Sequence, residues 1–587
     1  MRPHWLAPVG VGGTPGTVVS FDTETQVSKR AGAEVLTLRC WDAVLRRRNR
    51  PTPPQTIVAP VSGETAAKLC DLLETAADLD GEVWAFAHNL GFDLTVTSLP
   101  MMLTERDWQS QFVNIGDESC VFTLAQPGRK LVITDSWSWL RCPLGAAASD
   151  VGMRKTRLPA DGDGLAEWHA RCAHDAKILD RLVSDLLDWW DQAGAGRFAV
   201  TGAGCGWRTM RARTPPKTVL VGADYPRTGL ERAAVFGGRK EVWRVGRIVG
   251  RWVEDWDLAA AHLTTVANLP LPARPLRRSE RPPTLDPLAP AENTGTICRV
   301  EIATRTLCAP CRVAGETWWP TGTFRTVLTS PELEHVLELA DRVDVLEAAW
   351  YRTGMQLAGW ARWCQRLQAE IDSRVPRVVK RVAKGWGRSV PGRFAMRTSQ
   401  LIGEREATHL GWAIESGADL DTGDPIEIVT YGGVERTFRK DQDGQDVFPA
   451  VLAFVEGYVR AAIGRIIAAR GHSDLLQCNT DGWWEIRQGR ESPDPATMAP
   501  WPYTAARKAV SRDVTIIGPN HVNTRQDRRL AGIPKTAQVR LDGTYAWHDW
   551  PGLRWQLQFS RPGEYTRPGR ELLLQDHYCR RWVLAGG

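Results

Sequence analysis

Three short runs rich in β-branched and aromatic residues, TVVSFDT from Thr17, EVWAFAHN from Glu82 and KLVITDSW from Lys130, alternate with two segments of helical apolar period, ETAAKLCDLLETAADL and HDAKILDRLVSDLLDWW. Strand-like and helix-like periodicity taking turns is the pattern of an α/β domain, here over residues 17–192. Glycines and small polar residues then crowd into QAGAGRFAVTGAGCG, Gln192 to Gly206, so a linker is expected at 193–208. Beyond it, RIVGRWVEDWDLAAAH reads as a strand entering a turn or helix, and DLLQCNTDGWWEI as two strands around a tight Asn-Thr-Asp-Gly turn. The stretch between them reads as α+β, interrupted by a Pro/Arg-rich segment from Leu271 to Gly295, a loop or insertion. The expected fold class is α/β plus α+β in a multidomain chain. Its 587 residues, against roughly 100–200 per domain, fit two or three units.

Hydrophobic residues make up 43% and charged residues 24% of the chain, the ordinary range for a soluble globular protein. No apolar run nears the ~20 residues of a membrane span, and MRPHWLAPVG has no apolar signal-peptide centre. A cytoplasmic protein without a membrane partner is expected. Twelve scattered cysteines suit a reducing compartment. A net charge of +6 from 74 basic and 68 acidic residues is too mild to demand a polyanionic partner, so local distribution must decide. The 27 tryptophans are unusual, and base stacking would need exposed rings.

Asp22 and Glu24 lie two apart in TVVSFDTET, so a strand points both to one face, where they can share a divalent ion. Alone, the pair reads as a solvated strand end. Asn89, Phe92 and Asp93 follow in FAHNLGFD. Asp175 in RCAHDAKILD stands near the start of a helical pattern, where a carboxylate also suits the helix dipole. Downstream, Asp257 ends an apolar strand and Asp481 sits in the hairpin turn. Singly each reads as a strand-end or turn residue; together they can converge on the ions of phosphoryl transfer. All-oxygen donors suit Mg²⁺, with Mn²⁺ as the alternative. Arg374, Arg377, Arg381, Lys384 and Arg388 are spaced 3, 4, 3 and 4, which puts five cations on one helical face with no acid between Arg374 and Arg393. Such a face repels itself by roughly 0.2–0.5 kcal/mol per like-charged i,i+4 pair, and a polyanion would relieve it. Gly385 and Gly387 weaken this helix and suggest a break.

In their order, these motifs resemble those of family B DNA polymerases with an N-terminal DnaQ-like (DEDD) 3′–5′ exonuclease, in particular the small protein-primed replicases of phages, plasmids and organelles. The resemblance implies that Asp22, Glu24, Asp93 and Asp175 are exonuclease carboxylates, with Asn89, Phe92 and Ser136 (of the Asp135-Ser136 stretch) beside the DNA strand. Arg171 and Ala170 stand where the family places a water-orienting Tyr or His, and His169, His174 and Trp168 lie nearby but out of register. Asp257 and Asp481 keep the metal positions of motifs A and C, while His262, Leu263 and Asn479 replace family residues. Gly237 and Gly238 match the Y-x-G-G link, with Val235 in place of its Tyr, and KGWGRSVPGRFA resembles motif B. By the same likeness Lys384, Arg388, His262 and Arg377 contact the nucleotide, and Gly237, Gly238, Arg393 and Lys535 contact DNA.

The fold implied is an RNase H-like exonuclease followed by a right-hand polymerase. Its expected parts are a flexible leader over 1–16, exonuclease over 17–192, linker over 193–208, palm over 209–270, an insertion or palm-adjacent subdomain over 271–360, fingers over 361–400, palm again over 401–520 and thumb over 521–587. Two Mg²⁺ per active site, primer-template DNA, dNTPs and a terminal priming protein are the implied cofactors and partners. A monomer is expected, in the host cytoplasm if phage-encoded. Whether Leu271–Gly295 serves protein priming or is a plain loop stays open. Two rivals remain: a nuclease whose polymerase domain has decayed to a DNA grip, motivated by Asn479, Pro391 and Val235, and a noncatalytic nucleic-acid scaffold. Cys308 to Cys311 has the spacing of half a zinc knuckle but lacks a second half, so no zinc is expected there.

Overall fold

A computed structural model describes residues 2–10, 12–30, 33–48, 57–58, 65–116, 119–222, 224–282, 288, 290–369, 374–408, 411–471, 474–487, 499–518, 521–524, 528–530, 532–534, 537–540, 544–548, 553–554, 557, 569–572 and 583–584. The α/β pattern becomes a seven-stranded sheet in the order Ile57–Val58, Ala33–Arg47, Thr17–Arg30, Glu82–Ala87, Arg129–Asp135, Ser119–Gln126 and Gln109–Gly116. The Thr17, Glu82 and Arg129 strands run parallel, so each must return over a face of the sheet. Thr65–Asp80 covers one face, packing Leu69 and Leu73 near Val83 and Ala85. Leu165–Gln192 covers the other, packing Ile178 and Leu182 with Trp84 and Phe86. This helix begins ten residues before Asp175, so that acid is not a first-turn charge as expected; the polar LAEWHARCA segment is helical because its buried Trp168 and Cys172 continue the inward stripe.

A second seven-stranded sheet, antiparallel throughout, runs Arg239–Val242, Leu475–Thr480, Gly482–Ile486, Gly246–Leu258, Ala505–Gly518, His521–Asn523 and Arg528–Leu530. Helix Pro449–Arg470 packs behind it through Ile463, Ile466 and Ile467. The expected 401–520 segment divides. Arg397–Glu406, Val434–Asp443, Pro425–Tyr431 and Ala413–Ala418 make a separate four-stranded sheet, held to the first unit by the Tyr431 hydroxyl donating to Pro100 O at 2.6 Å and by Trp412 against Phe122.

Three further expectations are corrected. Leu271–Ser279 is a strand at the edge of a five-stranded sheet, paired with Arg342–Gly354 through register shifts at its two prolines; an edge with bulges is where a sheet tolerates a missing N–H. The leader is packed, not flexible: His4–Trp5 pairs with Leu220–Val221, Leu6 is buried, and its N–H donates to Val219 O at 2.8 Å. The 193–208 segment, expected as a linker, is built into the core. Gly202–Arg213 is a helix capped by Thr201, and Ala195, Phe198, Cys205 and Trp207 belong to one core that also holds Trp84, Trp139, Trp360 and Trp386. Most described tryptophans are core residues of this kind. No helix among the described residues is long and apolar enough to cross a membrane.

Candidate active sites

The first site forms where strand Thr17–Arg30 leaves the sheet centre under helix Leu165–Gln192. One ligand oxygen each from Asp22, Glu24 and Asp175 lies within 4.8 Å of the others. Asp93, at the first turn of Leu90–Thr97, is buried beside them and accepts a 2.6 Å hydrogen bond from the Thr23 hydroxyl. Burial, opposed by that bond and reinforced by Asp135 and Glu24, pushes the Asp93 carboxyl up to about 8. Asp22 is also raised, by burial and then by Asp93, Asp175 and Glu24. Burial and neighbouring carboxylates raise Glu24 as well, against Arg171; carboxyls crowded in this way are poorly satisfied by protein alone, and an all-oxygen donor set fits a hard divalent ion.

Two cations reach into the cluster. The Lys155 ammonium lies 2.8 Å from Asp175 Oδ2, and the buried Arg171 guanidinium pairs with Asp175 Oδ1 and approaches Glu24 Oε1 at 3.9 Å. Neither Asp175 oxygen accepts a well-aligned hydrogen bond, so the contact is charge without geometry. Arg171 thus enters the carboxylates from the position where the family resemblance implies a Tyr. None of the three nearby candidates takes its place: His169 Nδ1 lies 2.9 Å from Asp42, His174 Nε2 lies 2.8 Å from Arg154 O, and the Trp168 ring carries Arg39 at 4.1 Å. Asn89 has φ 68°, and its N–H donates to Asp135 Oδ1 at 2.9 Å; Trp137 N–H donates to the same oxygen at 2.8 Å. Asp135 therefore fixes the turn that carries Asn89 and Phe92. Ser136 is buried with its hydroxyl 2.9 Å from His88 Nδ1.

The second site is built on the antiparallel sheet. Asp257 pairs in register with Gly482, and Leu258 N–H donates to Asp481 O at 2.7 Å, so the two acids, 224 positions apart, meet at adjacent strand ends. Gly482 is required there: a Cβ would lie 2.9 Å from Trp256 O. Both acids open on a cavity of about 780 Å³, also lined by His262, Lys384, Arg388 and Lys508. Burial and then the Asp257 charge push Asp481 up to about 6, against Arg388 and Lys508. A divalent ion between the pair would remove that repulsion. Lys508, which nothing in AARKAVSR singles out, lies 2.8 Å from Asp257 Oδ2.

Helix Arg377–Phe394 runs unbroken through Gly385, Gly387 and Pro391, against the expected break. Its buried face explains this: Val378, Val382, Trp386 and Val390 anchor it, and Gly387 lets it approach Leu263, which would lie 3.2 Å from an added Cβ. Lys384 and Arg388 are exposed to the cavity, whereas Arg381, the middle cation of the stripe, is neutralised by Asp150 at 2.5 Å. Arg377 is exposed outside the cavity lining, and Arg393 lies over the Trp207 ring at 5.7 Å. His262 is half-buried, and burial together with Arg388 holds it down to about 4. Gly237 has φ 77° and donates its N–H to Glu456 Oε2 at 2.9 Å; Gly238 packs against Thr480, beside Asp481. Lys535 lies outside the described residues. Cys298, Cys308 and Cys311 pack in an apolar core with no metal-ligand grouping among the described residues.

No protein-family model and no curated protein matches the chain. Solved structures do. A ternary complex of Phi29 DNA polymerase with primer-template DNA and incoming nucleotide substrates aligns over 96% of this chain and 100% of its own, with TM-score 0.65 and 13% identity. The chain has the Phi29 DNA polymerase fold. The same polymerase with single-stranded DNA gives TM-score 0.66 at 12% identity over 96% and 100% of the two chains, and its post-translocation binary complex with primer-template DNA gives 0.64 at 12% over 95% and 99%. The Phi29-like fold thus extends through both sheets and both acidic sites.

Proposed function

We propose that this protein is a template-directed DNA polymerase that extends a primer 3′ end with dNTPs and edits it with a 3′–5′ exonuclease. The observation that carries the reading is Asp257 and Asp481 meeting in one cavity opposite Lys384 and Arg388, within a fold matched end to end by a polymerase solved with primer-template and nucleotide. On this reading the antiparallel sheet, which also takes in the 521–530 strands expected in the thumb, is the palm, Arg377–Phe394 belongs to the fingers, the first sheet is an RNase H-like exonuclease, and the small sheet of Gln538–Val539, Tyr545–His548 and Gly569–Leu572 contributes to the thumb. Asp257 and Asp481 would hold two Mg²⁺ in the synthetic site, and Asp22, Glu24, Asp93 and Asp175 a pair in the editing site. Bound there, such ions acidify the attacking hydroxyl or water and neutralise the charge of the departing oxygen. Lys384 and Arg388, exposed to the cavity on a rigid helix, bind the triphosphate, and His262, neutral at working pH, borders the sugar. Lys508 pairs with Asp257 across 2.8 Å and would give way to the ions when substrate arrives.

The resemblance of the motifs to small protein-primed replicases, together with the Phi29 DNA polymerase fold, favours a terminal protein as primer and a phage or mobile-element setting. Extension of a primed template with Mg²⁺ and dNTPs, abolished in Asp257→Ala, is the expected result. Adding a terminal protein with a free hydroxyl in place of the DNA primer tests the priming mode. Wild-type product from Asp257→Ala would remove the assignment.

A further inference from the structure

Beside the editing carboxylates lies a second set of ligating side chains. Ala33–Arg47 pairs antiparallel with Thr17–Arg30 so that Asp42 stands opposite Asp22 and Cys40 opposite Glu24. Cross-strand partners share a face, and residues two apart on one strand share it too. All four therefore face helix Leu165–Gln192. That helix presents His169, Cys172 and Asp175 at successive i,i+3 steps, so a slanted stripe crosses the strand pair. Asp175 meets Asp22 and Glu24. His169 and Cys172 meet Cys40 and Asp42.

One ligand atom each from Cys40, Asp42 and Cys172 lies within 4.8 Å of the others; His169 stands outside that trio but touches it, its Nδ1 2.9 Å from Asp42 Oδ2, and exchanging this hydrogen bond for the ion would bring it in as the fourth ligand. Cys40, Asp42 and Cys172 are no more than 1% exposed. Tetrahedral zinc with Zn–S near 2.3 Å asks for ligand atoms about 3.8 Å apart, well inside this spread. Two sulfurs, one imidazole nitrogen and one carboxylate oxygen are a borderline-soft donor set, unlike the all-oxygen set next to it.

We infer that Cys40, Asp42, His169 and Cys172 form a structural zinc site that clamps the Leu165–Gln192 helix to the sheet directly behind the editing carboxylates. Four protein ligands leave no open position, so the ion is structural and not catalytic. Binding forms two zinc–thiolate bonds, and the two thiol protons leave to solvent. Cys172 Sγ donates to the Asp22 carbonyl at 3.1 Å, so taking up the ion exchanges this hydrogen bond to the backbone of an editing residue for the zinc–thiolate bond. Lys177, whose charge acts on Asp42, helps to offset the surplus negative charge of the ligand set.

The test uses the full-length chain, reduced and dialysed against chelator, titrated with Co²⁺ and then with Zn²⁺. Expected are thiolate-to-cobalt absorption and tetrahedral visible bands that saturate near about one ion per chain and are bleached by Zn²⁺. Both should persist in Asp22→Asn/Asp175→Asn, whose oxygen site yields no thiolate band, and vanish in Cys172→Ser and Cys40→Ser. Should the serine variants not fold, His169→Ala, altered at the most accessible ligand, is expected to bind Co²⁺ at least about tenfold more weakly. No thiolate band in the wild type, equal affinity in His169→Ala, or a metal-free Cys40–Cys172 disulfide in protein isolated without chelator would each overturn the assignment.

Discussion

The adjacent glycines Gly237 and Gly238 should respond to alanine in opposite ways. A Cβ on Gly238 would lie 2.5 Å from Thr480 Cγ2 and 2.6 Å from its Cα and Cβ, where ordinary contacts are 3.4–4 Å. About 1 Å of separation must open, and because Thr480 Cα is among the obstructed atoms, a rotamer change cannot supply it. Arg239 is paired in register with Thr480, and Thr480 already sits at φ 62° just before Asp481. The displacement is therefore delivered to the Asp481 turn. Overpacking of this kind costs about 1–3 kcal/mol of stability. Misplacing a catalytic group by ~1 Å costs on the order of 100-fold in rate. Gly237→Ala meets no atom within 4 Å and bears only the left-handed backbone penalty at φ 77°, roughly 1–2 kcal/mol. Single-turnover nucleotide incorporation at saturating dNTP, with single-strand exonuclease rate and melting temperature as controls, separates them. Gly238→Ala should lose about two orders of magnitude in incorporation while degradation of single strands stays near wild type. Near-wild-type incorporation by Gly238→Ala, or a larger loss in Gly237→Ala, would refute this account of the link.

Three more outcomes are expected. Asp481 is raised to about 6, so its stabilising contribution in metal-free protein is fully present below the unfolded carboxyl range near 4 and is lost as pH rises through 6. In EDTA, Asp481→Asn should melt above wild type at pH 8 and equal it at pH 4; a uniform offset at both would contradict the sign. Arg171→Gln removes a cation that competes with divalent ions for Asp175, so it should destabilise the chelated protein by about 3 kcal/mol, recover stability with Mg²⁺, and lower the Mg²⁺ concentration for half-maximal exonuclease. An unchanged or higher Mg²⁺ requirement sinks that reading. His262→Tyr should sharpen discrimination against ribonucleotides, measured as the ratio of kcat/KM for dNTP and rNTP; an unaltered ratio removes His262 from the sugar pocket.

What could be read from the linear chain was what local period controls. Asp22 and Glu24 share a face because a strand repeats every two residues, and Asn479 to Gly482 turns because its residues tolerate the turn backbone. Residue spacing also placed Lys384 and Arg388 on one side of a helix, yet it could not show that Asp150, 231 positions away, neutralises Arg381 one turn before them. Arg171 and Lys155 escaped for the same reason: an arginine and a lysine in polar segments carry no mark of the carboxylates they meet in space. Proline content hid the Leu271–Ser279 strand because only its edge position and bulges, both tertiary facts, make those residues admissible. Cys40-x-Asp42 and His169-x-x-Cys172 each look incidental until sheet and helix are superposed.

The Trp386 indole donates to Gly202 O at 3.1 Å, and its ring fills the space where a Gly206 Cβ would stand, 2.6 Å away. The helix that carries Lys384 and Arg388 is thereby wedged into the element following the first sheet. Severed after residue 192, either half would expose an indole-lined wound, so heat or denaturant should take editing and synthesis apart in one cooperative melt, with neither activity outliving the other.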